Sequence, residues 1–175
     1  LYSLAKETAC VSCPTGKYQE LTSANEYNCK FCLAGTEFNA KEVVCDSCNA
    51  GKYQEQNSNP SVGCKFCIAG YDFTHPTTVC NPCSTGKYQE DNTATGVSCK
   101  FCPAATEFVS FNVACRTCDT GKYQEQNDAI SVVCKTCLAG TQFNSKPKVC
   151  DECQAGKYQA LNDEVSVSCK FCPKG

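Results

Sequence analysis

The sequence predicts a small disulfide-rich fold of tandem β-hairpin repeats, arranged as an elongated rod or solenoid-like array without a single large core. Three observations predict this fold class. Twenty of the 175 residues are cysteine, which exceeds the ~8–10 % that is typical of disulfide scaffolds. The cysteines recur with a period of 35 residues, and such a period indicates a repeat architecture. No window shows a sustained helical period of apolar residues.

Cysteine content also predicts the compartment. Disulfides at this density persist only in an oxidising environment, so we expect an extracellular or cell-surface location. The chain has no 18-residue apolar run, and we therefore expect no membrane span in this segment. The net charge is −2 and the lysines are evenly spread. A nucleic-acid partner would need a basic face, so the partners that we expect are other protein chains of an extracellular assembly, including copies of this chain.

The period divides the chain into five repeats. We place them at residues 10–44, 45–79, 80–114, 115–149 and 150–175, the last of which is incomplete. Residues 1–9 are the end of a preceding repeat or an N-terminal segment, since Ala5, Lys6 and Glu7 align with Ala40, Lys41 and Glu42. The next cysteine would be expected about ten residues after Gly175, which favours a longer parent chain.

Each repeat contains two related halves. The first reads C-x-x-C-x-x-G-K-Y-Q-E and the second C-K-F-C-x-A-G-T-x-F. Both halves predict β-hairpins, because short apolar or aromatic arms flank stretches of turn-forming residues. In the first repeat the arms are residues 17–20 and 28–32 in one hairpin, and residues 36–38 and 43–45 in the other.

A 35-residue repeat is too short to build an adequate core alone. The cystines must supply most of the stabilisation, at about 3 kcal/mol for a loop of ~15 residues. We expect the few large apolar side chains to pack on the cystines as small satellite cores. In the first repeat these side chains are Tyr18, Phe31, Phe38, Val43 and Val44.

Zinc is the main alternative for the cysteines, because C-x2-C-x15-C-x2-C is also a zinc-site spacing. We favour disulfides, since the CxxC pairs are nearly equidistant and the chain has one histidine. Two pairings fit. In an interlocked scheme Cys10 bonds Cys29 and Cys13 bonds Cys32. In a ladder scheme, which leaves Cys10 and Cys172 to pair outside the segment, consecutive pairs form among Cys13, Cys29, Cys32, Cys45, Cys48, Cys64, Cys67, Cys80, Cys83, Cys99, Cys102, Cys115, Cys118, Cys134, Cys137, Cys150, Cys153 and Cys169.

Glycine recurs after the first CxxC of every repeat. Because no copy departs from glycine, we expect positive φ at this position. The corresponding glycine of the second half is replaced once, by Ala105, and we expect that position to be more permissive. The first set of glycines consists of Gly16, Gly51, Gly86, Gly121 and Gly156.

The stripe Lys17-Tyr18-Gln19 recurs in every repeat and has two interpretations. In the structural one, the tyrosine packs on a cystine while the lysine and glutamine face water. In the functional one, the stripe makes a repeated lateral contact for assembly or multivalent binding.

Catalytic chemistry is not expected. His75 is the single histidine, and it precedes a proline in a loop, so a Ser-His or Cys-His nucleophile is disfavoured. Glu20 and its equivalents occur once per repeat on a hairpin arm, whereas paired carboxylates need a concave pocket. No calcium loop motif is present. We therefore predict a protein that is not an enzyme and has no cofactor or metal.

The motif C-x-x-C-x-x-G-K-Y-Q…C-K-F-C-x-A-G-T resembles ephrin-receptor-like, growth-factor-receptor cysteine-rich repeats. It is similar to tumour-necrosis-factor-receptor modules and to surface proteins of unicellular eukaryotes such as ciliate immobilisation antigens. The resemblance covers essentially the whole chain and implies the ladder pairing, with Cys13–Cys29 as the module disulfide. Departures are Ala105 at a glycine position and Thr136 at the position of Phe31.

Two functions follow as expectations. The uniformity of the repeats favours an extracellular structural segment, as a rod, stalk or filament component of a cell surface or fibre. The alternative is a ligand-binding receptor or adhesion ectodomain, in which one repeat should differ from the others. The third repeat differs most, with Ala105, Val109 and Phe111.

Overall fold

A computed structural model describes residues 10–173. In this part of the chain the regular structure consists of two-residue strands in five antiparallel pairs, without a helix. The predicted class of disulfide-bonded hairpins in tandem is confirmed. The strands are β1 (Thr36–Glu37), β2 (Asp46–Ser47), β3 (Tyr71–Asp72), β4 (Asn81–Pro82), β5 (Thr106–Glu107), β6 (Arg116–Thr117), β7 (Thr141–Gln142), β8 (Asp151–Glu152), β9 (Lys157–Tyr158) and β10 (Lys170–Phe171).

The second half of each of the first four repeats forms a hairpin that ends later than expected. Thr36 pairs with Ser47 and Glu37 with Asp46, so the return strand is β2 and not residues 43–45. The amide of Cys48 extends the pairing by donating to the carbonyl of Gly35 at 2.8 Å. Because the ladder lies beyond the second cysteine, the residues before that cysteine belong to the turn.

This shift in register also overturns the expected role of two valines. Val43 and Val44 were expected in a satellite core, but 46 % and 54 % of their surfaces are exposed. They lie in the turn that closes the hairpin, where no second layer covers them. The apolar character of this turn therefore does not contribute to burial within the chain.

The first half of each repeat has a shorter ladder than predicted. In the first repeat it consists of one bridge, in which Tyr18 and Lys30 exchange two backbone hydrogen bonds of 3.0 and 2.8 Å. The ladder ends there because the next amide, that of Gln19, donates instead to the carbonyl of Lys41 at 2.8 Å. Only in the last repeat, within the described residues, does this pairing reach two residues, as β9 and β10.

The chain divides into two compact units. Unit 1 comprises the residues up to Pro82 together with Asp91–Ser98, and unit 2 comprises Cys83–Glu90 and the residues from Cys99 onward. A loop from the third repeat therefore belongs with the second repeat. In unit 1, the amide of Phe73 donates to the carbonyl of Val97 at 2.9 Å, which explains why this loop is included there.

The core consists of small clusters at cystines, as predicted. In unit 2, Tyr88, Cys102 and Val132 form one cluster, against which Phe108 and Cys115 pack. One valine of each loop contributes to such burial: Val62, Val97, Val132 and Val167 are 5–8 % exposed. The described residues include no helix that is long and apolar enough to cross a membrane.

Candidate functional site: the joint between successive repeats

Nine disulfides bond consecutive cysteines within the described residues, and their arrangement is that of the ladder scheme. In each repeat one disulfide spans 16 residues, and in the first four repeats a second disulfide, across 13 residues, links the second half to the first cysteine of the next repeat. The Cα atoms of the bonded cysteines lie 5.6–5.8 Å apart, which is the ordinary spacing for disulfides. The pairs are Cys13–Cys29, Cys32–Cys45, Cys48–Cys64, Cys67–Cys80, Cys83–Cys99, Cys102–Cys115, Cys118–Cys134, Cys137–Cys150 and Cys153–Cys169.

Cys10 and Cys172 are free and exposed. They belong to different classes of cysteine. Cys172 occupies the position of Cys137, which bonds Cys150, and Cys10 occupies the position of Cys150. The two thiols are therefore the two complementary halves of the disulfide that links successive repeats.

The glutamine of the G-K-Y-Q motif is buried, contrary to our expectation that it faces water. Gln19 is 5 % exposed. Its copies in the next three repeats, Gln54, Gln89 and Gln124, are at most 1 % exposed. A buried amide is stable only when its donors and acceptor are satisfied, and the surroundings of these glutamines provide that. Gln19 is therefore not available for a lateral contact, while Lys17 and Tyr18 remain partly exposed.

Gln54 joins three segments of unit 1 by hydrogen bonds. Its side-chain Nε2 donates to the carbonyls of Leu33 and Thr36 at 3.1 and 2.9 Å. Its backbone carbonyl accepts from the amide of Gly35 at 2.7 Å, and its own amide donates to Pro76 at 2.8 Å. The side-chain Oε1 accepts from the amide of the second residue after Gln54. One residue thus ties the second half of the preceding repeat to both halves of its own repeat.

Gln124 makes the same set of bonds in unit 2. Its Nε2 donates to the carbonyls of Pro103 and Thr106 at 3.3 and 3.0 Å. The amide of Ala105 donates to its carbonyl at 2.7 Å, and its own amide donates to Lys146 at 2.9 Å. Two units with different loop sequences therefore contain the same arrangement. We call this contact, with the loop that follows the glutamine, the inter-repeat joint.

Two loop residues complete the joint. An asparagine three positions after the glutamine accepts from the preceding repeat, as when Asn57 Oδ1 accepts from the amide of Ala34 at 2.9 Å. The loop valine offers its carbonyl, and the amide of Phe38 donates to Val62 at 2.8 Å. The equivalent asparagine bonds are made by Asn92, Asn127 and Asn162. From their turn-forming residues these loops are predicted only as turns. The signal for a joint was the asparagine and the valine, which recur at fixed distances from the glutamine.

Four of the five glycines of the first half lie against the loop of the next repeat, namely Gly16, Gly51, Gly86 and Gly121. All five have positive φ, between +77° and +83°. A Cβ on Gly16 would lie 2.2 Å from the backbone nitrogen of Ser61, and one on Gly121 would lie 2.2 Å from that of Ser166. Because the obstacle is backbone, it cannot move aside as a flexible side chain would. These four positions require glycine for conformation and for space.

The glycines of the second half are less closely approached, since the nearest atom to a Cβ on Gly35 would be the side-chain Cγ2 of Thr77 at 3.0 Å. Gly35 and Gly140 also have positive φ, both +84°, but a Cβ on Gly140 would have nothing within 4 Å. Ala105 takes the same conformation with φ +70°. The expectation of a more permissive backbone at this position is therefore wrong, since alanine adopts here the same left-handed conformation, which costs about 1–2 kcal/mol.

Lysines cover the aromatic residues on the outer surface. In the first repeat, Lys17 lies 4.1 Å from the ring centroid of Phe31, and Lys30 lies 5.8 Å from that of Tyr18. Lys30 also bonds Glu20 at 2.7 Å. Each contact is a weak, partly exposed cation–π interaction or ion pair. Thr136 replaces the phenylalanine in the fourth repeat, and there Nζ of Lys122 lies 3.6 Å from Oδ2 of Asp119.

The paired lysine changes the titration of the recurring glutamate. A hydrogen bond from Lys65 holds the pKa of Glu55 below its ordinary value, although partial burial acts in the opposite direction. Similarly, Arg116 lowers the pKa of Glu107, helped by the amide of Cys134. Carboxylates in these pairs are ionised and bonded, which suits a structural role rather than proton transfer.

The described residues contain no group of three or more histidine, cysteine or acidic side chains that could hold a metal ion. The sulfurs that a zinc site would use are bonded to one another in the nine disulfides. His75 lies in an exposed turn, where its Nδ1 is 2.8 Å from the hydroxyl of Thr77. The arrangement provides a rigid connection between repeats, in a fold that is typical of structural and receptor modules.

A scan against protein-family models finds none that matches this chain, and a search of curated proteins finds no significant match. The fold itself places the chain in a class. Tandem units of about 16 residues, each with a small antiparallel hairpin and a disulfide, define it as a cysteine-rich repeat protein.

Proposed function

We propose that this chain is a structural segment of an extracellular assembly, such as a stalk, coat or filament at a cell surface, and that it is not an enzyme. The observation that carries the proposal is the identity of the joints in the two units. Gln54 and Gln124 make the same five hydrogen bonds, although the loops around them differ in sequence. The same joint in both units indicates that one mode of packing between neighbouring repeats is reused, which suits a spacer or polymer subunit.

The cysteine chemistry supports an extracellular setting. A disulfide that closes a loop of this size stabilises the fold by about 3 kcal/mol in the chain-entropy model. This stabilisation exists only where the cysteines stay oxidised. The proposal is also in keeping with the resemblance to cysteine-rich repeats of surface proteins and growth-factor-receptor modules. In such modules the disulfide and hairpin are shared, while the function differs from protein to protein.

Electron microscopy of the native material tests this function. We expect the chain within a continuous layer or filament with a regular repeat along it, and antibody against the chain should label that repeat. Isolated molecules that do not associate, each bound to a soluble ligand, would contradict the structural role.

A receptor or adhesion function has one observation in its favour. In the third repeat Val109, Phe111 and Val113 are about half exposed, at 53 %, 53 % and 48 %. Phe111 lies in a turn that a bridge between Ser110 and Val113 closes, and Val109 directly precedes this turn. Exposed aromatic residues at a single divergent position are typical of a protein-binding hot spot.

Replacement of this aromatic residue separates the two functions. In a receptor, Phe111→Ser should reduce binding to the partner by tenfold or more, at about 1.4 kcal/mol per factor of ten. In a structural segment the same change should leave assembly intact. Val79→Ser, also at an exposed apolar position (54 %) but in unit 1, is the matched control.

A further inference from the structure

The fourth repeat lacks an aromatic residue that the other four repeats contain. Thr136 stands inside the second CxxC, where the other repeats have Phe31, Phe66, Phe101 and Phe171. At each of these phenylalanines the lysine of the G-K-Y-Q motif lies over the ring, with its Nζ 4.1–5.0 Å from the ring centroid. The place beneath this lysine is therefore occupied by a phenyl ring in four repeats and is left without one in the fourth.

A groove lies at this place in the fourth repeat, within unit 2, and has a volume of about 560 Å³. Its lining includes Lys122 and Tyr123 of the first half, Thr136 and Leu138 of the second half, and Asn162 of the following loop. Because Lys122 and Thr136 both line the groove, it lies where the other repeats hold the ring and its lysine.

The joint to the next repeat stays closed beside the groove. The hydroxyl of Thr136 donates to the carbonyl of Asn162 at 3.0 Å, and Oδ1 of Asn162 accepts from the amide of Ala139 at 2.8 Å. The loop of the fifth repeat is thus held in place although the phenylalanine is missing. The substitution opens the surface without releasing the loop, and such a preformed groove is typical of a binding site.

Lys122 supplies the charge that an aromatic ring would meet in this groove. Thr136 gives it no ring to cover, and its Nζ lies 3.6 Å from Oδ2 of Asp119, whose side chain is 65 % exposed. An exposed ion pair of this kind is weak. The ammonium of Lys122 is therefore available to the negatively polarised face of an incoming ring, and this charge complementarity favours an aromatic side chain over an aliphatic one.

The single occurrence of the groove indicates the source of the ring. Contacts that build a regular array from identical copies would use features that all repeats share, as the inter-repeat joint does. The groove arises instead from a residue that one repeat in five contains. Its occupant is therefore a different protein, which binds at one place along the repeats.

We propose that the groove at Thr136 is a docking site for an exposed aromatic side chain of a second, different protein, whose ring packs beneath Lys122. This inference rests on the proposed structural function, since the partner is another protein of the same extracellular assembly. The partner's ring takes the place that Phe31 and its equivalents occupy within the chain.

An NMR titration with a single aromatic residue tests the site. The probe is N-acetyl-phenylalaninamide, and the full chain with intact disulfides is observed through the amide signals of Tyr123 and Leu138. We expect a dissociation constant of about 1–5 mM, which suits a ligand of this size in an open groove. N-acetyl-leucinamide should bind at least about threefold more weakly, because it has no ring face for the ammonium. No shift of these signals at about 20 mM probe, or equal affinity for the two probes, would overturn the proposal.

Two substitutions at one position separate filling of the groove from loss of the threonine hydroxyl. Thr136→Phe restores the residue of the other repeats, and it should weaken binding of the probe by about tenfold or more because its own ring occupies the groove. Thr136→Val removes the hydroxyl but leaves the groove open, so its affinity should stay within about twofold of the wild type. Undiminished binding by Thr136→Phe would show that the probe lies elsewhere and would refute the docking site.

A lysine substitution tests the charge complementarity. Lys122→Gln should weaken binding of the probe about fivefold, since it removes the cation. Lys87→Gln is the matched control, because Lys87 lies over Phe101 of its own repeat at 4.5 Å, and it should leave the affinity unchanged. Equal affinities of the two variants would contradict the proposal.

Sedimentation of the chain alone tests the source of the ring. We expect the same state of association for the wild type and for Thr136→Phe. Self-association that Thr136→Phe abolishes would assign the ring to a second copy and would overturn the choice of a different protein. Failure to bind the probe alongside intact native filaments would refute this inference alone, while the microscopy decides the structural function separately.

Discussion

In unit 2, Gly121 and Gly140 have nearly the same backbone conformation, with φ of +80° and +84°, but different surroundings. Gly121 belongs to the first half of its repeat and lies against the backbone of the next loop, whereas Gly140 has open space where a side chain would start. In the first repeat the contrast is between backbone and side chain, since a Cβ on Gly16 would lie 2.2 Å from the backbone nitrogen of Ser61 and one on Gly35 would lie 3.0 Å from Cγ2 of Thr77. The first half holds the buried glutamine of the inter-repeat joint, and the second half presents exposed apolar residues such as Leu138 and Val149.

This difference shows which positions the joint restricts. Cysteine spacing is constant in both halves, so the disulfides do not explain why one glycine set is uniform and the other admits Ala105. The close approach of the next loop explains the difference, because a Cβ on Gly121 would overlap with the backbone nitrogen of Ser166. The predictions below are intended to break or sharpen this comparison between the halves.

The largest effect should come from adding a methyl group to the restricted glycine. Gly121→Ala combines a left-handed alanine with a clash against the backbone nitrogen of Ser166, and we expect it to destabilise unit 2 by about 3 kcal/mol or more. Gly140→Ala should cost only about 1–2 kcal/mol. Guanidinium unfolding of the two variants with disulfides intact measures the difference. Equal losses would show that φ alone matters and that the close approach does not.

Removal of the buried amide should have the next largest effect. Gln124→Ala leaves the carbonyls of Pro103 and Thr106 without their donor, so we expect a loss of about 2–3 kcal/mol. Gln126→Ala is the control, since its side chain is exposed, and it should change stability by less than about 0.5 kcal/mol. Hydrogen exchange at the amides of Ala105 and Gln126 should become faster only in the first variant. If both variants unfold alike, the glutamine is not the centre of the joint.

Relief of strain in the second half should have a smaller effect of opposite sign. Ala105→Gly removes a left-handed alanine, and we expect a gain of about 0.5–1 kcal/mol after the greater entropy of the unfolded glycine chain is deducted. A higher midpoint in guanidinium unfolding would report this gain. Ala104→Gly, at the neighbouring position without positive φ, should destabilise slightly. A loss of stability in Ala105→Gly would mean that the Cβ makes a favourable contact.

The smallest effect concerns the outer surface of the first half. Lys65 lowers the pKa of Glu55, so this pair stabilises the fold above the ordinary pKa of the carboxyl, and the contribution disappears as pH falls through the lowered folded value. Because the pair is partly exposed, at 48 % and 26 %, we expect less than about 0.5 kcal/mol. NMR titration should show the pKa of Glu55 rising in Lys65→Gln, while that of Glu107, beside Arg116, stays low. An unchanged pKa for Glu55 would remove Lys65 as the cause.

The outer and inner faces of the G-K-Y-Q motif illustrate how far sequence reasoning extends. Repetition indicated that Tyr18 packs near a cystine, and the cluster around its equivalent Tyr88 agrees. It did not indicate that Gln19 is buried, because a glutamine next to lysine and glutamate has the local pattern of an exposed arm. The burial of its copy Gln54 arises from carbonyls that a turn and the preceding repeat bring to it. Because these groups are backbone atoms, the residue types at those positions do not reveal the contact.

The hairpin boundaries failed for a related reason. Short apolar arms on either side of turn-forming residues predicted the return strand at residues 43–45, whereas pairing occurs at β2, beyond the cysteine. In a strand of two residues the pattern is too short to specify register. The register instead follows from the disulfide Cys32–Cys45 and from the bond between Cys48 and Gly35.

The sequence by itself determined the repeat length, the hairpin class and the places where only glycine fits the backbone. These properties are local or periodic, and a period repeated five times outweighs the ambiguity of any single copy. The tertiary structure alone decided which polar residue is buried, that a loop such as Asp91–Ser98 packs with the preceding repeat, and which segment of backbone lies against the restricted glycine. The physical reason is that hydrogen bonding between distant backbone groups, and the distance between two segments of backbone, depend on how the repeats stack and not on residue type.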